Sequence, residues 1–412
     1  MYSFSGKIKL VAIISMVVGL LGIGYSFIAT PSTVEALGAH ASHDPAHAEH
    51  VLHLLQNKPW AALYVAALFF MLISLGVLAF YAINRAAQAG WAPILFRVME
   101  GITGYLPIGA LIFFLLLVFS GLHFNHLFIW MDPAVVAHDK VIQGKTGYLN
   151  VPFFLVRAAV YMLGWIAYRQ ITRKLSKAQD QAHDNRPFVK AFKWSAGFLV
   201  FFLVSESMMS WDWVMSVDPH WFSTLFGWYV FGSLIASAIA AIILVTVTLK
   251  SQGYLEHVND SHLHDLAKYL FGFSIFWTYL WFSQYLLYWY SNIPEEVTYF
   301  VTRLEHYEPI VLSMLAINFL LPLLILVDSD IKRKPWVVGT MAVVILVGHY
   351  LDFFNMIMPA TVGDQWCIGA GEIGSVLFFF GLFTFVTFRT LTKAPLVEKN
   401  HPFMHESEHF HY

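Results

Sequence analysis

Ten apolar runs follow one another along the chain, each close to the length a helix needs to cross the hydrocarbon core of a membrane. Charged residues make up only 12% of the 412, about half the share of a water-soluble domain. Because lipid offers backbone groups no hydrogen-bond partner, we predict an all-α integral membrane protein of ten transmembrane helices. The predicted spans, 1 to 10, are 8–30, 60–84, 95–122, 148–169, 190–211, 222–249, 266–290, 308–328, 335–357 and 368–389.

Lysine and arginine are distributed unequally between the loops on the two sides of these spans. Nineteen fall on one side, Arg157 lies inside span 4, and four fall on the other side: Lys58, Lys140, Lys145 and Arg303. Cytoplasmic loops carry the excess of positive charge, so both termini are predicted to be cytoplasmic.

The connections suggest two four-helix bundles, spans 2–5 and spans 6–9, with spans 1 and 10 at the periphery. We expect residues 1–395 to form the membrane domain and 396–412 a cytoplasmic tail. The first run follows Lys7 and Lys9 as a signal peptide would, but it is long, and residues 31–33, Pro-Ser-Thr, do not match a cleavage site. We therefore interpret it as a retained helix.

A first group of polar residues is predicted near the outer ends of spans 3, 4 and 5. A charge at mid-bilayer costs about 2.5–3.5 kcal/mol or more, so it must be paired or line a wet cavity. Arg157 and Glu206 stand at depths where they could meet. The group also holds Asp212, and His123 with His126, three apart and so predicted on one helix face. Two interpretations stay open: a buried pair that sets helix register, and a functional site such as a quinol site.

A second group centres on span 9, where His349, Asp352 and Asn355 recur at spacings of three and so share one face. Three more members are expected from neighbouring spans: Gln284 and Tyr288 from span 7, and Glu372 from span 10. A histidine and a carboxylate inside a membrane can exchange protons near neutral pH. We predict a proton path here, with His349 and Asp352 as the relay; the competing interpretation is that these groups hold the helices together.

Several cofactor and partner classes are excluded or disfavoured. Cys367 is the only cysteine, so this chain cannot build an iron–sulfur cluster or an internal disulfide. Intramembrane histidines are too few and too shallow for haem, and the net charge of -2 offers no face for nucleic acid. Histidines cluster in the first outer loop and in the tail, where we expect solvated segments that contact a partner rather than a metal site. They are His40, His43, His47, His50 and His53, and His401, His405, His409 and His411.

Three segments carry a resemblance to a known family, together with the order of ten helices. They are residues 2–7, Tyr-Ser-Phe-Ser-Gly-Lys; residues 287–296, Leu-Tyr-Trp-Tyr-Ser-Asn-Ile-Pro-Glu-Glu; and residues 393–403, Lys-Ala-Pro-Leu-Val-Glu-Lys-Asn-His-Pro-Phe. The chain resembles the smaller NrfD-like, polysulfide-reductase-type membrane subunit of bacterial alternative complex III, a quinol:cytochrome c oxidoreductase.

That resemblance implies a place in a multi-subunit complex of the bacterial inner membrane. Menaquinol would be the electron donor, and the iron–sulfur clusters and haem c would belong to periplasmic partner subunits. The other partners would be a larger NrfD-like homologue, a terminal oxidase and lipids. The subunit would hold no redox cofactor of its own and would have a structural and proton-conducting role. The alternatives are direct quinol oxidation, with His123 or Glu206 as proton acceptor, and a stand-alone proton-coupled transporter.

Overall fold

The computed structural model describes residues 1–36 and 45–411, and the described chain is all-helical. We name its two ends outer and inner after the predicted orientation. The sixteen α-helices are α1 (Gly6–Ala29), α2 (Pro45–Ala86), α3 (Phe96–Ile102), α4 (Leu106–Gly121), α5 (Pro133–His138), α6 (Lys140–Gln143), α7 (Val151–Gln179), α8 (Arg186–Trp213), α9 (Phe226–Ser251), α10 (Asp260–Ser291), α11 (Pro294–His306), α12 (Glu308–Leu315), α13 (Leu321–Ile325), α14 (Pro335–Val362), α15 (Ala370–Leu391) and α16 (Met404–Glu408).

Within the described residues, nine helical segments are long and apolar enough to cross a membrane. They correspond to all the predicted spans except span 7, and α3 with α4, and α12 with α13, each make one crossing segment. The helix at span 7 is α10, which has 32 residues but is rich in tryptophan and tyrosine and therefore less apolar. A multi-pass, all-helical membrane protein is thus confirmed, and the tenth crossing and the sidedness of the termini stay predictions.

Two closed groups, each built from four long helices or paired helical segments, make up the body of the protein. In the first, α2 packs on α4, α4 on α7, α7 on α8, and α8 on α2. In the second, α9 packs on α10 and α14, while α12 contacts α14 and α13 contacts α10. The long helix α2 joins the groups, because it also packs on α9 and α14.

Helices α1 and α15 pair closely beside these groups because glycines face each other along their contact. A Cβ on Gly374 would lie 2.9 Å from the backbone of Gly22, and one on Gly19 would lie 2.4 Å from the backbone nitrogen of Phe378. Small residues let two helices approach closely in lipid, where van der Waals packing drives association. This pair packs on the rest of the protein through α15, which contacts α2 and α3.

The segment expected to be a separate tail instead packs across the inner ends of the helices. Glu398 is buried, pairs with Arg85 and accepts a hydrogen bond of 2.6 Å from Ser176 Oγ. Ser407 Oγ donates to the carbonyl oxygen of Trp91 over 2.8 Å. The expectation of a solvated tail is therefore wrong for His401, which is only 6% exposed.

His401 should make this docking sensitive to pH. Its ring lies edge-on to Phe96 and Phe188, and burial, with repulsion from Arg85 second, lowers its pKa to about 3. An undocked His401 has a pKa near 6.5, so it binds more protons than the docked form. The contribution of neutral His401 to docking is therefore fully present above about pH 6.5. As the pH falls from there toward 3, the equilibrium constant for docking decreases by up to about tenfold per pH unit.

Limited proteolysis of the detergent-solubilised protein between pH 7.5 and pH 4.5 measures this effect. Cleavage within residues 396–411 should accelerate on acidification in the wild type and much less in His401→Phe, which keeps an aromatic ring that cannot be protonated. His183→Phe changes an exposed loop histidine and serves as the control. Equal acceleration in all three proteins would show that His401 is not responsible.

Candidate functional site

The carboxylate of Asp352 lies at the centre of the second helix group, completely buried. Three side chains donate hydrogen bonds to it: Tyr229 Oη, Ser233 Oγ over 2.5 Å, and Trp277 Nε1 over 2.8 Å. Donors from α9 and α10 thus surround a carboxylate on α14. Such hydrogen bonds satisfy the oxygens of a buried carboxyl group, which burial would otherwise leave without partners.

His349 is the fifth side chain at this centre and is also completely buried. Its Nδ1 lies 3.8 Å from Asp352 Oδ2, and its ring stands edge-on to Trp277 at 5.6 Å between centroids. Neither ring nitrogen has a hydrogen-bond partner among the described residues. A buried polar atom without a partner is costly, and a water that bridges to Asp352 would satisfy it.

Helical spacing explains how the sequence brings these groups together. Tyr229 and Ser233 are four residues apart on α9, and Trp277 and Gln284 are seven apart on α10, so each pair shares one helix face. His349 and Asp352 share a face of α14 for the same reason. Tyr229 and Trp277 were missed in the sequence analysis, which considered only the other polar residues of these spans. The helical spacing of Tyr229 from Ser233, and of Trp277 from Gln284, is the sequence signal that could have identified them.

A polar route leads from Asp352 toward the outer end. A small cavity is lined by Tyr229, Gln284, Tyr299, Arg303 and Asn355, among others. The Gln284 side chain donates a hydrogen bond of 2.8 Å from Nε2 to Ser223 Oγ. On the far side of Gln284, an open surface pocket is bordered by polar groups that include Ser223, Tyr288 and Glu296. Tyr288 and Gln284, both predicted members of the second group, therefore stand along one route to the surface.

Arg303, expected in an outer loop, is buried against the cavity because of a proline in α14. Pro359 has no N–H, so the carbonyl of Asn355, four residues earlier, loses its helical partner. Arg303 Nε donates to this carbonyl over 3.0 Å, and its NH2 group donates to the carbonyl of Met356 over 3.1 Å. The guanidinium lies 3.3 Å from the centroid of the Tyr299 ring. Burial raises the pKa of Tyr299 to about 12, an effect that Arg303 reduces, so the phenol stays neutral at physiological pH.

A π-helical turn, Ala316–Leu320, joins α12 to α13 and places Asn318 against Gly348 of α14. Asn318 is completely buried, and neither its amide oxygen nor its nitrogen has a hydrogen-bond partner in the described chain. A Cβ on Gly348, the residue before His349, would lie 2.1 Å from Asn318 Oδ1, so only glycine leaves room for this amide. Such π-helical turns often occur at functional sites.

Glu372 does not join the Asp352 centre. It is the third residue of α15, and its Oε2 accepts a hydrogen bond of 2.9 Å from the N–H of Gly369, which caps the helix. Its side chain lines a lateral groove together with Tyr350 and Phe354, rather than the cavity that contains Asn355.

The first group also differs from the prediction. Arg157 pairs with Asp212, not with Glu206: Nε and NH2 donate to the two carboxylate oxygens over 2.8 and 2.9 Å. The helix α7 begins at Val151, so Arg157 lies near the outer end and extends to Asp212, the second-last residue of α8. Glu206 lies deeper in α8, is 2% exposed, and its Oε1 has no partner among the described residues.

His123 and His126 are not on a helix face, because α4 ends at Gly121. His123 has a φ of +61° and is exposed, so it belongs to a left-handed turn. His126 is held through its backbone, where the N–H donates to Asn57 Oδ1 over 2.9 Å, and its ring stands edge-on to His53. The expectation that both histidines lie on one helix face at the outer end of span 3 is therefore wrong.

The first outer loop is described only in part. His40 and His43 lie outside the described residues, and α2 begins at Pro45, so His47, His50 and His53 lie on this helix. In the part of the chain that the structure describes, no group of three or more His, Cys, Asp or Glu residues could hold a metal ion.

The fold and this site define a class: a multi-pass, all-helical membrane protein with a buried carboxylate and histidine at the centre of one helix group. A comparison with models of known protein families gives no match, and a comparison with curated proteins gives no significant match. The assignment to an alternative complex III therefore stays a prediction.

Proposed function

We propose that this chain is a membrane subunit of a respiratory quinol:electron-acceptor oxidoreductase complex, in which Asp352 and His349 conduct protons. The observation that carries the proton role is the completely buried Asp352 carboxylate, 3.8 Å from an otherwise unpartnered His349 ring. An intramembrane pair of this kind is costly and is typical of proton relays.

In the proposed proton route, the role of each residue follows from its position. Ser223, Gln284 and Tyr288 form the outer entrance, and the cavity beside Tyr229 and Asn355 leads inward. Tyr229 lines this cavity and its hydroxyl donates to Asp352, so a water entering the cavity would complete a path for a proton through this hydroxyl. Asp352 and His349 then exchange protons through a water that bridges the 3.8 Å between Oδ2 and Nδ1.

The respiratory part of the proposal is supported by the resemblance in residues 287–296 and 393–403. In such a complex menaquinol would be oxidised elsewhere, and iron–sulfur and haem c subunits on the periplasmic side of the bacterial inner membrane would receive its electrons. The chain would bind no redox cofactor and would dock a larger homologous membrane subunit. Purification in mild detergent tests this, because co-elution with haem c and iron–sulfur polypeptides is expected, and a lone chain would refute it.

Substitution of Asp352 by asparagine tests the proton role in the intact complex. We expect proton release by energised vesicles to fall by about 100-fold, the order of magnitude that a positioned proton carrier contributes. His349→Gln should have a similar effect with little cost in folding, because the ring has no hydrogen bond to lose. Asp364→Asn changes an exposed outer carboxylate and is the matched control. Normal proton release and quinol oxidation in both variants would refute the relay.

A further inference from the structure

Basic side chains form a cluster at the inner end of the protein, between α7 and the C-terminal end of α15. Arg169, Arg173 and Lys177 follow one another at spacings of four on α7, so they share one face of that helix. Arg173 is held in place, because its guanidinium donates to the carbonyl of Glu100 over 3.4 Å and to that of Thr390, near the end of α15, over 3.3 Å. The cluster therefore has a defined position between two helices.

The positive charge of this cluster is only partly compensated. Two carboxylates reach it, Glu100 and Asp180, and Arg97 pairs with both of them, over 3.5 and 2.6 Å. Glu100 is shared further, because it lies 3.6 Å from Arg173. Among the described residues, three cations of the cluster form no ion pair: Arg169, Lys177 and Lys393, which follows α15 and repels Lys177. The cluster thus has room for an added anion.

Arg169 is the least compensated member of the cluster. Its Nε is buried without a hydrogen-bond partner in the described chain, and Arg173 repels its charge. A basic residue that served only to fix the orientation of a loop would extend into water, where it needs no partner. Burying a charged donor is costly unless the donor is paired. A phosphate group, with several acceptor oxygens, would supply the missing partner and cancel the repulsion.

The depth of the cluster favours a phosphate at the membrane surface over one in solution. Arg169 is the last residue of predicted span 4, and α7 continues beyond it to Gln179. Toward the membrane centre, α4 packs on α7 and exposes three apolar side chains on one face: Ile108, Leu111 and Leu115. Acyl chains would cover this face, whereas a soluble phosphate would leave it unused. Basic pockets between helices on the cytoplasmic side are typical binding sites of anionic lipid heads.

We propose that this cluster binds the phosphate of one anionic phospholipid from the inner leaflet. Arg169 Nε and the ammonium groups of Lys177 and Lys393 donate to the phosphate oxygens, and Arg173 adds its charge from behind. The acyl chains lie along α4. By cancelling the repulsion between the cations, the bound lipid stabilises the contact between the inner ends of α7 and α15. This site is separate from the Asp352 centre, which lies in the other helix group.

Native mass spectrometry of the purified protein, titrated in detergent with phosphatidylglycerol or with phosphatidylcholine of the same acyl chains, tests the proposal. The wild type should bind one phosphatidylglycerol more tightly than phosphatidylcholine. Arg169→Gln and Lys177→Gln should each weaken the binding of phosphatidylglycerol about fivefold, as expected for one basic residue at an anionic membrane surface, and leave that of phosphatidylcholine unchanged. Neither substitution breaks an ion pair among the described residues, so both variants should fold normally.

Lys174→Gln is the matched control, because it removes an exposed charge at the same depth from another face of α7. A change below about twofold is expected for it, since it lies outside the cluster and acts only through the general field at the membrane surface. Inorganic phosphate at millimolar concentration should not displace the lipid. Equal binding of the two lipids by the wild type, an equal loss in Lys174→Gln and the two cluster variants, or displacement by inorganic phosphate would each overturn the proposal. The last result would indicate a site for soluble phosphate instead.

Discussion

Replacement of Arg157 by leucine is expected to lower the free energy of unfolding by about 3–5 kcal/mol. The guanidinium makes two hydrogen bonds to Asp212, a third of 2.9 Å to the carbonyl of Tyr148, and stacks on the Tyr148 ring at 3.8 Å. Asp212 is completely buried and would keep neutral donors such as the hydroxyl of Tyr161, 3.2 Å away, but no cation. The loss of the cation would therefore leave a buried, poorly compensated carboxylate.

Unfolding by sodium dodecyl sulfate in mixed micelles measures this loss. The double variant Arg157→Leu/Asp212→Leu should recover much of the stability, because it removes the stranded charge as well. Arg186→Leu is the matched control: its pair with Asp184 is exposed, so a change below about 1 kcal/mol is expected. An Arg157→Leu protein as stable as the control would refute the structural role of the pair.

The second large effect is expected for Arg303→Met, which should cost about 1–3 kcal/mol, because it leaves the buried carbonyl of Asn355 unsatisfied. The carbonyl of Asn355 is free only because Pro359 lacks an N–H. Pro359→Ala supplies that N–H, so the same Arg303 substitution should cost less in this background. The two residues should therefore couple by about 1–2 kcal/mol in a double-mutant cycle.

The same denaturation assay gives the four free energies of the cycle. Arg389→Met, an exposed arginine on α15, controls for the general loss of a cation. Additive effects of Arg303→Met and Pro359→Ala would mean that Arg303 does not replace the missing N–H. Because Arg303 also lines the cavity beside Tyr229, the variant should in addition change the water content of the proton route.

The length and spacing of apolar runs were enough to predict the helical class and the approximate position of every long helix. They also predicted that His349, Asp352 and Asn355 share a face, since a helix turns once in 3.6 residues whatever surrounds it. The helix ends were less certain, because α2 and α7 continue beyond the apolar runs, to Pro45 and Gln179. Hydropathy identifies the segment that crosses the membrane, but it does not show how far the helix continues into water.

The partners of the buried polar groups depended on how the helices are rotated and shifted against one another. Arg157 met Asp212 instead of Glu206 because α7 begins three residues later than predicted, and Glu372 faces the groove because of the way α15 packs on α2. Lipid is as apolar as the side chains between helices, so a hydrophobic pattern leaves these rotations nearly equal in energy. One of these rotations is selected by close glycine contacts, by hydrogen bonds, and by carbonyls that a proline leaves free. These interactions can be identified only in the folded chain.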